Sequence, residues 1–493
     1  MESVVTDAES FRQVAANAPA KARIPVELRL TVDDPYEAYR RARDGDVGVF
    51  LETTGGQSGW GYFGVEPTEL VRIEPTAATL ESARSPTLAA IEGRLAAETL
   101  VRGECEVPYP CGAIGWLAYD VAREIEDLPT LTEDDRALPR AQLAVFETLV
   151  AWEEPRDSDG VTLRITACPQ RGTDPTAAYE RGVGMARSLV ERIRTGDPAV
   201  GFPTSRDRTV TFESDSGRAA YTDAVRRVKE YVRDGDTFQA NISHRLSAPA
   251  AVHPVAVYDA LRDLNPAPYS ALLELPGVDL VSASPELLVA VDGDQVVTEP
   301  IAGTRPRGET PADDAAFETD LRTDEKERAE HAMLVDLERN DVGKVCRFGS
   351  VEVSEYRRVD HYAEVMHLVS KIEGHLRPET SLHDILAAVF PGGTITGAPK
   401  PRTMAIIEEL ETTRRGPYTG SIGLFGFDDR VTLNITIRTL VRAAETYHLR
   451  VGAGVVHDSV PDREYDETID KARALIAAVD AALDEQIHLE VRE

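Results

Sequence analysis

Several residue types and patterns are scarce in this chain of 493 residues. Its four cysteines form no Cys-x-x-Cys pair and have no histidine at metal-ligand spacing, which argues against a zinc site. No apolar stretch approaches the roughly 20 residues that a membrane-spanning helix needs. The first residues lack the basic region and apolar core of a signal peptide. We therefore expect a cytoplasmic protein that has no membrane partner.

Basic side chains are also in the minority. The chain has 54 Lys and Arg residues against 85 Asp and Glu residues, and its formal net charge is −31. A surface of that sign repels nucleic acid, so a nucleic-acid partner is not expected. The acidic residues are spread along the chain, and their mutual repulsion is tolerated best where salt screens it. This pattern favours a protein from a salt-accumulating, halophilic cytoplasm over an acidic patch for a basic partner.

The rest of the composition is that of a globular protein with more than one core. Hydrophobic residues make up 42% of the chain, which is enough for packed interiors, and 493 residues exceed what one small core organises. From Val26 to about Glu154 short β-rich runs alternate with turns, and Pro175–Arg194 has the pattern of an amphipathic helix. A linker at Gly196–Arg208 predicts a boundary between an N-terminal domain, 1–205, and a catalytic domain, 206–493.

The order of the predicted elements indicates the fold class. Val26–Val32 and Leu143–Trp152 are predicted strands, and Leu382–Val389 is a predicted helix. Because strands and helices follow one another without a regular βαβ succession, we expect an α+β architecture and not a doubly wound sheet. The first 25 or so residues are polar and are predicted to form a loose arm.

The most informative segment is Phe390–Lys400, which reads Phe-Pro-Gly-Gly-Thr-Ile-Thr-Gly-Ala-Pro-Lys. Two adjacent glycines let a backbone approach an anion closely, and Thr394 and Thr396 add hydroxyl groups. It is not a Walker A loop, because Ala398 follows Gly397 where a lysine is required. Taken alone, the segment predicts a loop that binds a small carboxylate or phosphate.

Two pairs of carboxylates have helical spacing. Glu327 and Glu330 lie three residues apart on a predicted helix, as do Glu464 and Glu467, so each pair shares one helix face. Four carboxylates that meet would repel one another unless a hard cation such as Mg²⁺ neutralised them. In so acidic a chain, such a pair is more often part of a solvated face. The spacing alone therefore leaves both interpretations open.

The glycine-rich segment and both helices resemble those of the chorismate-binding enzymes, which include anthranilate synthase, aminodeoxychorismate synthase, and isochorismate and salicylate synthases. Glu330–Asp341 and Glu464–Ala472 are similar to the two Mg²⁺-binding helices of that family. Other segments match in the family's order: Asp234–Ser243 resembles the first active-site strand, Ser282–Glu286 the segment with an active-site carboxylate, Pro300–Gly308 the loop beside the substrate ring, Val365–Ser370 the strand with a histidine, and Gly452–Gly454 the glycine strand under the substrate.

The resemblance implies a large composite chorismate-binding fold with mixed and antiparallel sheets, surrounding helices and a Mg²⁺ cofactor. Glu330 and Glu467 would bind the ion directly, and Glu327 and Glu464 would bind it through water. His367 would protonate the departing hydroxyl group. The full set of implied roles comprises the catalytic residues Glu286, His367, Gln239 and Thr394, and the chorismate-binding residues Ala302, Gly303, Thr304, Tyr418, Arg438, Gly452, Ala453, Gly454 and Lys400.

Ammonia is the expected nucleophile. Family members that add water have a lysine base on the first active-site strand, where this chain has Gln239, which cannot deprotonate water. Ammonia added ortho to the ring carboxylate gives anthranilate, and added para it gives aminodeoxychorismate. Ala302 and Met366 resemble residues of anthranilate synthases, whereas Asn265–Ser270, Phe390–Lys400 and Gly420–Phe425 resemble segments of aminodeoxychorismate synthases. The two products therefore both remain possible at this point.

The segment Val49–Thr54 favours one product. Anthranilate synthases usually have Leu-Leu-Glu-Ser there, as part of a tryptophan pocket, and this chain has Val-Phe-Leu-Glu-Thr-Thr. We therefore expect component I of an aminodeoxychorismate synthase, which would make 4-amino-4-deoxychorismate, with component I of an anthranilate synthase as the alternative.

A partner is also expected. No cysteine lies in the glycine-flanked elbow of a glutaminase, so a separate glutaminase subunit is expected to supply ammonia. A non-catalytic chorismate-binding protein is the competing class of function. The presence of Glu286, His367 and all four carboxylates argues against it.

Overall fold

The computed structural model describes residues 2–45, 47–75, 84–156, 160–201, 209–362, 365–483 and 488–492. Within these residues the chain forms 24 strands and 11 α-helices. The strands are β1 Glu2–Val4, β2 Val26–Val32, β3 Gly48–Glu52, β4 Gly59–Val65, β5 Glu69–Ile73, β6 Gly112–Leu117, β7 Ala141–Phe146, β8 Thr148–Glu154, β9 Val161–Ala167, β10 Thr209–Ser214, β11 Gln239–Pro249, β12 Tyr269–Leu275, β13 Val278–Ser284, β14 Leu287–Asp292, β15 Gln295–Thr298, β16 Ile301–Pro306, β17 Glu352–His361, β18 Val365–His375, β19 Gly397–Ala398, β20 Ser421–Gly426, β21 Val431–Asn434, β22 Thr439–Ala443, β23 Thr446–Val455 and β24 His488–Arg492.

Helices occur along the whole chain, and a short 3₁₀ helix covers Tyr119–Glu124. The α-helices are α1 Ala8–Asn17, α2 Pro35–Ala42, α3 Pro86–Leu95, α4 Pro175–Thr195, α5 Gly217–Asp234, α6 Pro254–Leu264, α7 Pro311–Thr323, α8 Glu325–Gly343, α9 Leu382–Val389, α10 Lys400–Leu410 and α11 Pro461–Ala482. None of the described helices has both the length and the apolarity needed to cross a bilayer.

The strands form two large sheets. The first has the order β1-β2-β9-β8-β4-β3-β12-β13-β22-β23-β11-β10-β24, with β19 paired to β11. The second has the order β16-β18-β15-β14-β21-β20-β6-β7-β5, with β17 paired to β18. Neighbouring strands are antiparallel except for β10 and β24, which are parallel. The expected α+β fold with mixed and antiparallel sheets and surrounding helices is confirmed.

Both sheets contain strands from early and late parts of the chain. In the first sheet, β3 pairs with β12, where Gly48 lies opposite Glu274 and Glu52 opposite Ser270. In the second sheet, β6 pairs with β20 in the same way. The predicted domain boundary at 205 lies outside the described residues, as does the second half of the predicted linker, so the division into two domains stays a prediction.

Three layers of apolar side chains hold this architecture. Between the sheets lie Val49 and Leu273 from the first sheet with Trp116 and Ile422 from the second, all of them buried. A second core joins the first sheet to α1, α2, α4, α6 and α11. A third joins the second sheet to α3, α8 and α9. The sheets are therefore packed against each other on one face and are covered by helices on the other.

The N-terminal segment differs from its prediction as a loose arm. Asp7 caps α1 by accepting hydrogen bonds from the backbone N–H groups of Glu9 and Ser10. Phe11 and Ala15 are buried on the inner face of this helix. The segment is polar in composition but amphipathic in arrangement, so it packs on the first sheet, and the loose-arm prediction is wrong.

Candidate active site

An outer cavity of about 670 Å³ and an inner cavity of about 180 Å³ lie side by side. They open into one another, since seven residues line both. These are Asn241, Ile301, Ala302, Thr304, Thr394, Arg438 and Lys471. The walls come from β11, β16, β18 and β23, from the segment between α9 and α10, and from helices α8 and α11. Most of the residues that the sequence singled out meet here.

The outer cavity brings the two carboxylate pairs together. Asp324 caps α8 and fixes its first turn, so that Glu327 and Glu330 face α11. Burial raises the pKa of Glu330, and the nearby carboxylates of Glu327 and Glu467 raise it further. Burial and the charge of Glu467 likewise raise the pKa of Glu464. The two helices thus place four acidic groups within electrostatic reach of one another.

These carboxylates have partners in the protein. Glu330 Oε1 accepts a hydrogen bond of 2.8 Å from Gln239 Nε2. Glu327 Oε1 lies 3.2 Å from an Arg305 guanidinium nitrogen, and Glu467 Oε1 lies 2.8 Å from Lys471 Nζ. The basic side chains therefore balance part of the negative charge of the outer cavity.

The donor set fits Mg²⁺, which takes only oxygen ligands and usually binds one or two carboxylates directly and keeps several waters. Within the described residues, no three or more His, Cys, Asp or Glu side chains already have the arrangement of a metal site. A hydrated ion does not need such an arrangement. Lys471 and Arg305 contact only Oε1 of Glu467 and Glu327, so the second oxygen of each carboxylate is open to an ion or its waters.

In the inner cavity the central acidic group is Glu286. Burial raises its pKa to about 7, while the Thr394 hydroxyl, the Ile301 N–H and the charge of Arg438 act in the opposite direction. Glu286 Oε1 and Thr394 Oγ1 are both buried and have no hydrogen-bond partner in bonding geometry among the described residues. Two unsatisfied polar atoms in a cavity point to a polar ligand.

His367 lies on β18 and also faces the inner cavity. Its Nδ1 is 3.2 Å from the Gly303 carbonyl oxygen and 3.0 Å from Thr304 Oγ1. Since a carbonyl oxygen only accepts, Nδ1 bears the proton, and the buried Nε2 of the neutral ring is left as an acceptor without a partner in the described structure. Burial, together with the charge of Arg438, lowers the pKa of His367 to about 4. The imidazole is therefore neutral at neutral pH.

Arg438 is the cation of the site. It has a φ of 48°, a left-handed backbone that a residue other than glycine adopts only at a cost of about 1 to 3 kcal/mol. Its guanidinium makes no ion pair or hydrogen bond with any described side chain, and burial lowers its pKa. A strained, unpaired arginine that lines both cavities is suited to an anionic ligand.

One edge of the site is a strand of small residues. Gly452 and Gly454 on β23 lie opposite Ser243 and Asn241 of β11. A Cβ atom at Gly452 would lie 2.9 Å from the Tyr418 hydroxyl, so only glycine leaves this surface open. Ala453 lies between them and, because side chains alternate along a strand, occupies the opposite face. It is buried there and lines neither cavity, so the structure does not support it as a substrate contact.

Lys400 also departs from its predicted role. Its Nζ lies 2.6 Å from Asp341 Oδ2 and 3.1 Å from the carbonyl oxygen of Val389. The ammonium group is buried in this ion pair and lines neither cavity. The structure therefore places Lys400 outside both cavities, in contrast to the substrate-binding role that the resemblance implies.

Sequence reasoning missed two residues that line both cavities. Lys471 lies one helical turn after Glu467 and also donates a 3.0 Å hydrogen bond to the Gly452 carbonyl. Asn241 lies two residues after Gln239 on the same face of β11, and its Oδ1 is buried without a partner in the described structure. The helical spacing of four and the strand spacing of two would have identified both.

A third cavity of about 460 Å³ lies beyond Pro285 and Ile301, which line it together with the inner cavity. The segment Val49–Thr54 contributes to its wall. The Glu52 carboxylate forms two ion pairs there, since its Oε2 lies 3.0 Å from a guanidinium nitrogen of Arg156 and 3.0 Å from one of Arg262.

A family model described as chorismate binding enzyme matches residues 49–477. Anthranilate synthase component 1 1 of Haloarcula marismortui is 64% identical over 495 residues, which cover 100% of both chains. Aminodeoxychorismate synthase component 1 of Bacillus subtilis is 44% identical over 375 residues, or 76% of this chain and 78% of that protein. The crystal structure of anthranilate synthase component I from Streptococcus pneumoniae superposes with a TM-score of 0.72 at 30% identity, covering 84% of this chain and 92% of that chain.

Proposed function

The chain belongs to the chorismate-binding enzymes, and we propose that it is component I of an anthranilate synthase, which converts chorismate and ammonia into anthranilate, pyruvate and water. The observation that carries this proposal is the 64% identity to an anthranilate synthase component 1 over the full length of both chains. It favours the alternative given above over the narrower expectation of 4-amino-4-deoxychorismate as product.

The segments that conflict over the product lie at different cavities. Ala302, which resembles anthranilate synthases, lines both cavities of the site. By contrast, Tyr269 and Ser270 of one conflicting segment and Ile422 and Gly423 of the other line the third cavity. Asn265 of the first segment and Thr394 of Phe390–Lys400, which also resembles aminodeoxychorismate synthases, line the outer cavity. The placement of the segments therefore does not decide between the two products, and the proposal rests on the identity.

Substrate binding is assigned to the cation and the glycine strand. Chorismate has two carboxylates, and the unpaired guanidinium of Arg438 can bind one of them by charge-assisted hydrogen bonds. Gly452 lets the ligand lie directly against β23, beside the Tyr418 ring. Lys471 reaches both cavities and adds a second positive charge.

The proton transfers are assigned mainly to Glu286. Amination requires that a hydroxyl group leaves as water and that the ring later loses a proton as pyruvate departs. A carboxyl group with a pKa of about 7 is present in both protonation states at neutral pH, so it can donate in the first step and accept in the second. His367 is neutral in this structure, and the negative charge of a bound substrate would raise its pKa towards the role that the resemblance implies.

Mg²⁺ is part of the proposal. Glu330 and Glu467 would bind it directly, with Glu327 and Glu464 holding its waters. When bound, the ion supplies positive charge that polarises a substrate carboxylate. Burial and, to a smaller extent, the charge of Glu467 raise the pKa of both Glu330 and Glu464, and a cation between the carboxylates would relieve their repulsion.

Ammonia is proposed to come from a separate glutamine amidotransferase subunit. No cysteine lines either cavity in the described part of the chain, so a glutaminase nucleophile is not provided there. Free ammonium at high concentration should replace the partner.

A product assay tests the proposal. The protein is incubated in concentrated salt with Mg²⁺, chorismate and ammonium, and the products are separated by chromatography. Anthranilate with an equal amount of pyruvate is the expected result. Aminodeoxychorismate, converted to p-aminobenzoate only after a lyase is added, would overturn the proposal.

Amination at the para position is the second candidate. The 44% identity to the aminodeoxychorismate synthase component of B. subtilis favours it. Binding of chorismate without any product would instead indicate a non-catalytic protein.

A further inference from the structure

The Lys400 side chain connects the two ends of the glycine-rich segment. Lys400 is the first residue of α10 and donates to the carbonyl oxygen of Val389, the last residue of α9, over 3.1 Å. The same ammonium forms a 2.6 Å ion pair with Asp341 near the end of α8. Both ends of the segment 390–399 are therefore held next to Asp341 on α8, the helix that also bears Glu330.

The segment between these ends positions a residue of the active site. Thr394 lies near its centre and lines both cavities, and in the inner cavity the Thr394 hydroxyl and Glu286 Oε1 are both buried without a partner among the described residues. On the far side, Gly397 and Ala398 pair with Ala240 and Gln239 of β11. A shift of the segment would thus displace Thr394 relative to Glu286.

A buried ion pair lies beneath the segment, where burial lowers the pKa of Lys400 and the charge of Asp341 acts in the opposite direction. Lys400 and Asp341 are both buried, with side chains 9% and 5% exposed. Glu338 lies beside them, and the Thr298 hydroxyl donates to it. Burial raises the pKa of Glu338 to about 8, so this group is largely uncharged at neutral pH and does not compete with Asp341 for the lysine.

We propose that Lys400 is a positioning residue, which clamps residues 390–399 between α9 and α8 through Val389 and Asp341 and so holds Thr394 against Glu286. Lys400 contacts no reacting atom in this assignment. The clamp explains why a lysine is buried directly after the glycine-rich segment without reaching either cavity.

Hydrogen exchange tests the clamp without substrate. In the full chain, we expect Lys400→Met to speed amide exchange of the peptide covering 390–399 by about tenfold or more. Asp341→Asn, which keeps the shape of the side chain, should act in the same direction. Lys344→Met is the matched control, because Lys344 also contacts Asp341, at 2.8 Å, but is exposed and does not touch the segment. Unchanged exchange in both Lys400→Met and Asp341→Asn would overturn the proposal.

A double-mutant cycle tests the consequence for turnover. This experiment rests on the proposed function. It measures chorismate consumption, and the identity of the product is determined in a separate assay. Lys400→Met should lower kcat by about tenfold with a much smaller change in KM, as should Thr394→Val. Because Lys400 acts through Thr394, the double variant should lose little more than the worse single variant.

The outcomes remain distinguishable. Losses that multiply in the double variant, or a change in KM alone, would overturn the positioning role. If the unmodified protein makes a different product, the proposed function fails while the cycle is still interpretable. If it consumes no chorismate, the exchange measurement alone decides whether Lys400 holds the segment.

Discussion

The side-chain amide of Gln239 donates from Nε2 to Oε1 of Glu330 over 2.8 Å. This contact joins the first residue of β11 to the middle of α8 and aims the carboxylate into the outer cavity. Gln239 Oε1 is buried without a partner among the described residues. Gln239 is therefore directed at the proposed ion site, and we propose that it orients Glu330 there.

Replacement of Glu330 by Gln should abolish Mg²⁺-dependent turnover, with a fall in kcat/KM of about 100-fold or more. The variant keeps an oxygen that accepts from Gln239, so the fold is preserved while the charge that binds the ion is lost. The measurement is a Mg²⁺ titration of chorismate consumption. Glu325→Gln, on the exposed side of the same helix, is the control and should titrate normally. An unchanged response of Glu330→Gln to Mg²⁺ would remove this residue from the ion site.

Replacement of Arg438 by Met should weaken substrate binding and stabilise the free protein. Charge-assisted hydrogen bonds contribute about 1.5 to 3 kcal/mol, so KM for chorismate should rise about 10- to 150-fold. The backbone strain is unchanged by this substitution, but a half-buried, unpaired charge that lines both cavities is removed, so Tm should rise. Steady-state kinetics and calorimetry measure the two effects, with the exposed Arg463→Met as control. A lower Tm would mean that Arg438 is needed for the fold.

Replacement of Glu286 by Gln should change how stability depends on pH. The folded pKa of about 7 lies above the ordinary value of 4.5, so the wild-type protein loses stability as pH rises through this interval. The difference corresponds to about 3 kcal/mol. Gln cannot ionise, so the variant should gain that amount relative to wild type between about pH 5 and pH 8. Urea unfolding at both pH values measures it, and a constant difference would contradict the raised pKa. The exposed Glu309→Gln should show no such gain.

Replacement of Ala302 by Lys should lower the rate of anthranilate formation by about tenfold or change the product, because the new side chain enters the boundary between the two cavities. Chromatography of the products distinguishes these effects. Ala302→Ser adds one hydroxyl group and should stay close to the wild-type rate. No effect of the lysine would mean that this segment does not lie beside the ring.

Local patterns predicted single elements well. Val26–Val32 and Leu382–Val389 were predicted with the bounds that the structure has, because each shows a clear strand or helix pattern. Leu143–Trp152 was predicted as one strand but forms two, β7 and β8, which belong to different sheets. The chain crosses between the sheets at Glu147, and no local pattern indicates that crossing, since both sides are equally apolar.

The functional site could likewise be predicted only in part from local sequence patterns. The spacing of the carboxylates on α8 and α11 was visible in the sequence, and the structure brings these groups to one cavity. Lys400 and Ala453 stand in the same segments as cavity residues, yet both face away from the cavities. Strand alternation would have excluded Ala453, but the direction of Lys400 depends on Asp341, which is 59 residues distant in the chain. That partner could be found only in three dimensions.

Because β3 pairs with β12, the first sheet cannot be completed until β12 has been synthesised. Tyr39 already needs Glu274, which lies 235 residues later, to complete the contacts beside β3. At about 5 to 20 residues per second, the ribosome supplies β12 only about 10 to 50 seconds after β3. Until then β3 has an open edge that can pair with other chains. A nascent chain of this protein therefore has an interval in which shielding by a chaperone, or by its own excess negative charge, protects it from aggregation.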